Sequence, residues 1–459
     1  MKILLTTHQF LPDFAAGTEI LTLETAKELR RLGHEVVVFT GFPGDKELSD
    51  AERFDSYSYY DIPVERFHHA YVPMGGHSNV IEAEYNNLFF AAHFRKFLQN
   101  WKPDLVHFFH LQRLSASAID VCCELGIPMV LTPTDFWLVC FTNQLRMPDN
   151  LLCGGPACRG INCLRHVVAI SQPLAVRTLV AKLPDWLVRA AVRVCSVRLL
   201  ANITAASQVR ALADRPEFMK QRMNMLSRVM VPTLLMGEIL KENGLRSEKI
   251  IFSPFGINLK PFQRHARKEA KEPLRVGYIG TLSEHKGVHL LVKALRSLPD
   301  HEPIEVKIYG KTVDYPEYAE ELRRIAGDDP RITFCGTFPN DRIGDIFAGL
   351  DVLVVPSIWY ENTPLVIYSA HAAGCPVIAA NLGGMAEVVR HGENGLLFEP
   401  GEVAGLAEAL ECLCRDRGVL RRLTRNVRPP RSIENYVEEL LHVYEDVIAE
   451  IHGRTALDG

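Results

Sequence analysis

"DVLVVPSIWYENTPLVIYSAHAAGCPVIAANLGG", Asp351 to Gly384, is the stretch whose reading decides the fold. It opens on an apolar run closed by Pro-Ser, passes through a Pro-initiated helical segment, and re-enters an apolar strand after Gly-Cys-Pro. Short apolar runs bounded by turn residues read as buried strands, and strand–helix–strand in this order reads as one parallel crossover unit. Pro364 suits the first helical turn, where no N–H is needed. Glu361 then falls at the C-terminal end of a strand, beside free helix N–H groups.

The same alternation surrounds it. Upstream, "LRVGYIG" is a strand, "KGVHLLVKALRSL" a helix, "IEVKIYG" a strand, "PEYAEELRRIA" a helix and "ITFCGTF" a strand; downstream, "GLLFEP" closes the series. The first half carries an independent run of it. "KILLTT" is a strand, and "ILTLETAKELRRLGHE" a helix with Ile20, Leu23, Ala26, Leu29 and Leu32 at helical spacing and Gly33 as its stop. "VVVFTG", "DLVHFFH" and "PMVLTPTDF" are further strands. A chain of 459 residues exceeds one core. The expectation is therefore α/β architecture in two doubly wound parallel-sheet domains, residues 1–245 and 246–428, facing across a cleft that holds a ligand. Residues 429–459 contain an amphipathic helix with Ile433, Val437, Leu440, Tyr444 and Val447 on one face, expected to pack back across the domains.

Composition narrows the classes. The 47% hydrophobic and 23% charged content is that of a soluble globular protein, and a net charge of -4 gives no pull toward nucleic acid. "MKILLTTHQF" reads as a first strand and not as a signal peptide, and no run approaches the roughly 18 apolar residues of a spanning helix. A cytoplasmic location is expected. There, eleven cysteines do not form a disulfide framework, and Cys195, Cys335 and Cys375 read as small buried hydrophobes.

Three loops carry candidate chemistry. In "FAAGTE", Gly17 lets an anion approach the N–H groups of an opening helix, or merely makes a tight turn; no G-x-G-x-x-G fingerprint accompanies it. In "YIGTLSEHKG", Gly280 ends a strand and Lys286 falls at a helix start, a poor place for a cation unless it neutralises a diphosphate. Glu361 is placed to accept hydrogen bonds from sugar hydroxyls, or else to cap its helix, worth up to about 1 kcal/mol.

Together, "PDFAAGTE", "KPDLVHFFH", "IFSPFGIN", "YIGTLSEHKGVHLLVKAL" and "PSIWYENTPLVIYSAHAAGCPVIAANLGGMAEVVRHGENGLLFEPGE" resemble a family 4 glycosyltransferase of the GT-B type, with two Rossmann-like domains, across nearly the whole length. The resemblance implies a retaining enzyme. It would move a sugar from a nucleotide-diphosphate donor on the C-terminal domain to a glycan, lipid-linked or small-molecule acceptor on the N-terminal one. Lys286 would hold the diphosphate and Glu361 the donor-sugar hydroxyls. Asn362, Thr363, Pro364, Leu365 and Val366 would meet the phosphates and shape the nucleotide pocket, while Gly17, Gly280 and Thr281 border the same phosphates. His110 and Asp135 would act at the acceptor side. No D-x-D triplet occurs, so no metal cofactor is implied for transfer. Three positions depart from the family pattern. Its ribose-gripping second glutamate aligns with Ser369, its G-R-L arginine with Thr281, and its T-x-H-D histidine with Thr134. These departures keep two other readings open, a GT-B sugar-nucleotide epimerase and a non-catalytic binding homologue.

Two inserts stand outside that pattern. Residues 140–166 hold Cys140, Cys153, Cys158 and Cys163, with His166 behind them, a set that suits a structural zinc, an iron–sulfur centre, or plain loop thiols. Residues 167–228 form a basic helical insert. From Arg159 to Arg228 there are twelve Lys/Arg against three Asp/Glu, which reads either as a solvated helical face or as peripheral contact with the inner membrane surface.

Overall fold

The computed structural model describes residues 1–76, 79–147, 151–157, 160–195, 204–263, 272–362 and 364–455. The chain divides into two compact units, Met1–Pro254 joined by Glu434–Gly459, and Phe255–Ile433.

The first unit is built on β1 (Lys2–Thr7), β2 (Glu35–Pro43), β3 (Phe54–Tyr59), β4 (Ile62–His69), β5 (Leu105–Phe108), β6 (Met129–Leu131), β7 (Arg228–Val231) and β8 (Ile250–Phe252). They lie in the order β3-β4-β2-β1-β5-β6-β7-β8. Every pairing is parallel except β3 with β4. That pair departs from the all-parallel sheet expected from the alternation. Its cause is local: Tyr60 and Asp61, at φ 51° and 59°, form a two-residue loop with the backbone twist a tight hairpin needs. The helix Gly17–Arg31 follows β1 and buries Leu21, Leu23, Ala26 and Leu29. Leu32, expected on the core face, is 43% exposed because the helix ends there and Gly33 turns away at φ +88°.

The helix Ile433–Thr455 returns the chain to this unit from Glu434 onward. Its predicted face is the buried one, with Val437, Leu440, Tyr444 and Val447 fully enclosed. Polar contacts fix its register. His107 on β5 hydrogen-bonds the Tyr444 hydroxyl on one ring nitrogen and Thr132 Oγ1, at 2.9 Å, on the other, and Ser253 Oγ donates to Glu439 at 2.9 Å. Burial pushes His107 down to about 3, so it is a neutral strut.

The second unit carries β9 (Leu274–Ile279), β10 (Ile304–Tyr309), β11 (Ile332–Gly336), β12 (Val352–Val355), β13 (Val377–Ala380) and β14 (Gly395–Phe398). All pair in parallel, in the order β11-β10-β9-β12-β13-β14. β12 and β13 are buried throughout, which is why they read as unbroken apolar runs. In each unit the strand order reverses at one place, between β1 and β5 and between β9 and β12. Open α/β sheets bind ligands outside the strand ends at such points.

Candidate functional site

In the second unit, the loops leaving β9 and β12 meet at that reversal. Gly280 to Lys286 follow β9 and end in a single 3-10 turn, Glu284–Lys286; Ser357 to Glu361 follow β12. The loops are tied together by Ile358 N–H donating to His285 O at 2.9 Å. Gly287 makes this close approach possible. Its φ is +70°, and a Cβ there would collide with the Pro356 carbonyl oxygen. Lys286, the residue before it, is thereby aimed across at the β12 loop.

Glu361 is 6% exposed, and three donors converge on its Oε1: Lys286 Nζ at 2.6 Å, Ser357 Oγ at 2.7 Å and Trp359 Nε1 at 2.9 Å. Burial alone would raise this carboxyl; the Lys286 ammonium, with the Ser357 and Trp359 hydrogen bonds, overcomes it and holds the group below the usual carboxylate range. Lys286 also sits 5.0 Å from the centre of the Trp359 ring, whose face favours a cation. The Glu361 carbonyl accepts from Gly384 N–H at 2.9 Å, so the loop after β13 is bound in as well. The assembly is a fixed charge pair at the mouth of a sheet, with one carboxylate oxygen saturated.

Around it, Pro364 is the N-cap of the helix Leu365–Ala372 and not its first turn, so the first helical N–H groups belong to Leu365 and Val366. Asn362 is buried, and Thr363 lies outside the described residues. Ser369 is 7% exposed and donates its hydroxyl to Leu365 O at 3.1 Å, which leaves it an acceptor. Thr281 takes the Tyr278 hydroxyl on its carbonyl at 2.8 Å.

The first unit has a second cluster, at its own reversal. His110 follows β5 and Asp135 follows β6; His110 Nε2 and Asp135 Oδ2 are 2.7 Å apart. His110 Nδ1 accepts from Gln112 N–H at 3.0 Å, so the ring proton is on Nε2, beside the Asp135 carboxylate but not aligned to donate to it. Asp135 Oδ1 in turn accepts from Trp137 N–H at 2.8 Å. Together with Pro133, Thr134 and Trp137 these residues line a shallow pocket. Thr134 spends its hydroxyl on Phe109 O at 3.2 Å. Trp137 is held by a buried pair, since Arg215 donates to its carbonyl at 2.6 Å and Glu84 accepts from its indole N–H.

Behind the pocket stand His8 and Glu19. The His8 and His110 rings are 4.2 Å apart, and His8 Nε2 lies 3.6 Å from Glu19 Oε1. Burial, then His110 and Arg113, drive His8 well below the usual imidazole range, while burial raises Glu19. Glu19 stands on the first turn of the helix that Gly17 opens. Sequence reasoning singled out Gly17, His110 and Asp135 but not His8 or Glu19, nor Ser357 and Trp359. The only signal for them was position, directly after a strand or at a helix start.

Cys140, Cys153 and Cys163 line one pocket with His166; Cys158 lies outside the described residues. Among the described residues no group of three or more His, Cys, Asp or Glu side chains is arranged to hold a metal ion. Burial, with Cys140 and Cys153 nearby, pushes the Cys163 thiol up to about 12.

Residues 260–429 match the family described as glycosyl transferases group 1, and residues 15–187 match glycosyltransferase family 4. The D-inositol 3-phosphate glycosyltransferase of Nocardia farcinica is 31% identical over 237 residues, which are 48% of this chain and 52% of the relative. An uncharacterised glycosyltransferase of Methanocaldococcus jannaschii is 27% identical over 181 residues, 39% of this chain and 46% of the relative. The chain thus spans about half the length of the curated relatives it matches. Among solved structures, Anabaena HepE in complex with UDP and glucose aligns at a TM-score of 0.63 and 18% identity, covering 97% of this chain and 99% of that one. Sucrose-phosphate synthase of Thermosynechococcus elongatus aligns at 0.64 and 19%, covering 98% and 99%. Identities this low speak for the fold, and the fold is GT-B.

Proposed function

We propose that this chain, matched to glycosyl transferases group 1 through its second unit and to glycosyltransferase family 4 through its first, is a GT-B glycosyltransferase. It moves a sugar from a nucleoside-diphosphate donor held by the second unit to an acceptor held by the first, with retention of anomeric configuration. The observation that carries this reading is the pair of half-buried Lys286 with buried Glu361 at the β9/β12 reversal. A buried carboxylate must be paired to stay charged and is a poor stabiliser compared with apolar packing, so its place at a ligand-binding strand end favours a functional role. UDP with glucose, bound by HepE, is a ligand of the proposed class.

The chemistry follows from the donors. Lys286 carries the positive charge that the departing diphosphate needs, and the Leu365 and Val366 amides add partial charge at the start of their helix. Glu361 has Oε1 filled by three donors, so Oε2 takes the donor-sugar hydroxyls. Ser369 accepts one ribose hydroxyl, a neutral hold where a carboxylate would grip harder. Retention needs no carboxylate nucleophile when the acceptor attacks from the leaving-group face and the donor phosphate takes its proton. On the acceptor side, His110, kept as the Nε2–H tautomer by the Gln112 N–H on its Nδ1, positions the incoming hydroxyl through Nε2–H with the Asp135 carboxylate beside it.

The test is donor turnover by the full chain with UDP-, GDP- and ADP-sugars and a panel of glycan, lipid-linked and small acceptors. Glu361→Gln should lower transfer by at least about tenfold to a hundredfold, the worth of one charge-assisted hydrogen bond. Turnover of the variant near that of the unaltered chain would overturn the assignment. Donor conversion with no acceptor requirement would point instead to an epimerase, and binding without conversion to a non-catalytic homologue.

A further inference from the structure

Among the described residues no helix is long and apolar enough to cross a membrane, yet one segment of the first unit is apolar where it meets solvent. Three short helices follow the cysteine-bearing loop: Ile161–Ser171, Leu174–Lys182 and Asp185–Cys195. A helix on the surface of a soluble protein turns its apolar stripe inward. These do not. The first buries only Ile161, the second buries nothing, and the third buries only Val188 and Val192. Outside remain Ile170 at 50% exposed, Leu174 at 78%, Leu179 at 63%, Trp186 at 66% and Val194 at 56%. Single exposed leucines are ordinary; five large apolar side chains over 25 residues of consecutive helices are a surface in want of a partner.

Charge selects the partner. Residues 161–195 hold five basic side chains, Arg165, Arg177, Lys182, Arg189 and Arg193, against the single acid Asp185, in a chain whose net charge is -4. Arg165 takes Asp185 at 2.8 Å and so clasps the third helix to the first. The other four cations outnumber any acid the segment can offer. A second copy of this chain would bring like charge against like charge across a self-matched interface. An anionic bilayer offers both complements at once, phosphate headgroups for the cations and an acyl boundary for the leucines. Trp186, half apolar and with one N–H, is the side chain that favours that boundary.

We infer that residues 161–195 form a docking surface for an anionic lipid bilayer, on which Leu174, Leu179 and Trp186 insert and Arg177, Lys182, Arg189 and Arg193 meet the headgroups. The surface does not depend on the activity proposed above. The full chain should float with phosphatidylcholine vesicles containing phosphatidylglycerol and stay behind with phosphatidylcholine alone, and raised salt should release much of it. Trp186 emission should shift to the blue on binding, a shift that Trp186→Phe removes. Leu174→Asp with Leu179→Asp should cut the bound fraction by roughly tenfold or more, with circular dichroism unchanged because both residues are exposed. Arg177→Glu with Arg193→Glu should do the same by charge alone. Equal flotation of the wild type and both double variants, or no flotation of the wild type, would overturn the inference. So would a dimer in sedimentation equilibrium that Leu174→Asp dissolves, since the face would then be an interface between copies.

Discussion

Glu361 is the residue on which most depends, and its surroundings say how it will respond to change. Its folded carboxyl is held below the ordinary range, so the pair with Lys286 contributes stability that is present above the unfolded carboxylate value and is lost as pH falls through the lowered one. Glu361→Gln should therefore flatten the acid side of the stability curve, seen in denaturant melts taken between about pH 7 and about pH 3. An unchanged slope would mean the pair is not formed. Asp135→Asn tests the acceptor side. An amide takes away the negative charge 2.7 Å from Nε2, and moving the ring proton to Nδ1 sets it against the Gln112 N–H. The kcat should fall by roughly a hundredfold with the donor KM little changed. Lys286 and Glu361 stood out in the sequence as a cation at a helix start and an acid past a strand, whereas His110 and Asp135 came from the family resemblance. His8 did not stand out, because His110 is brought beside it by the sheet; Ser357 and Trp359 lie within four residues of Glu361, but spacing alone does not say that their side chains turn onto its carboxylate.

At the scale of elements, the loop between β9 and the helix Val288–Ser297 depends on Gly287. Gly287→Ala adds a Cβ at positive φ and drives it into the Pro356 carbonyl, a backbone position costing about 1–3 kcal/mol before any clash. Chemical denaturation should show a loss of that order or greater. Donor affinity should fall with it, because Lys286 is the residue before it. Retained stability would show that the loop relaxes freely. The strand–helix alternation was readable from apolar runs and their turn residues, and the parallel sheet of the second unit followed from it. The β3–β4 hairpin was not, since Tyr60-Asp61 carries none of the Asn-Gly signal by which two-residue hairpins announce themselves. Cys163 belongs to the same scale. With its thiol pushed up to about 12, it should alkylate far more slowly at about pH 8 than the exposed Cys123 and Cys412, as mass spectrometry of partly modified protein would show.

At the scale of the molecule, the second run of alternation after residue 273 announced two α/β units, each with its own sheet and its own reversal of strand order. The apolar face of the last helix was legible too. The expectation that it packs back across the domains named no partner residues, because an amphipathic pattern says that a face is buried without saying against what; from Glu434 onward it belongs to the first unit. The answer is written in side chains on β5 and directly after β6, where His107 and Thr132 meet Tyr444 and Tyr436. Tyr444→Phe leaves a His107 ring nitrogen buried without that partner and should cost about 1–3 kcal/mol by denaturant melts, with nucleotide affinity unchanged.

The most direct measurement compares the affinity of a nucleoside diphosphate with that of its sugar ester, by calorimetry, on the unaltered chain, Lys286→Met and Glu361→Gln. Lys286 is assigned to the diphosphate and Glu361 to the sugar. Lys286→Met should therefore weaken both ligands, while Glu361→Gln should weaken the sugar ester and spare the diphosphate. If Glu361→Gln weakens the two alike or neither, or if the unaltered chain binds no nucleotide sugar, the carboxylate does not hold the donor sugar and the account is wrong.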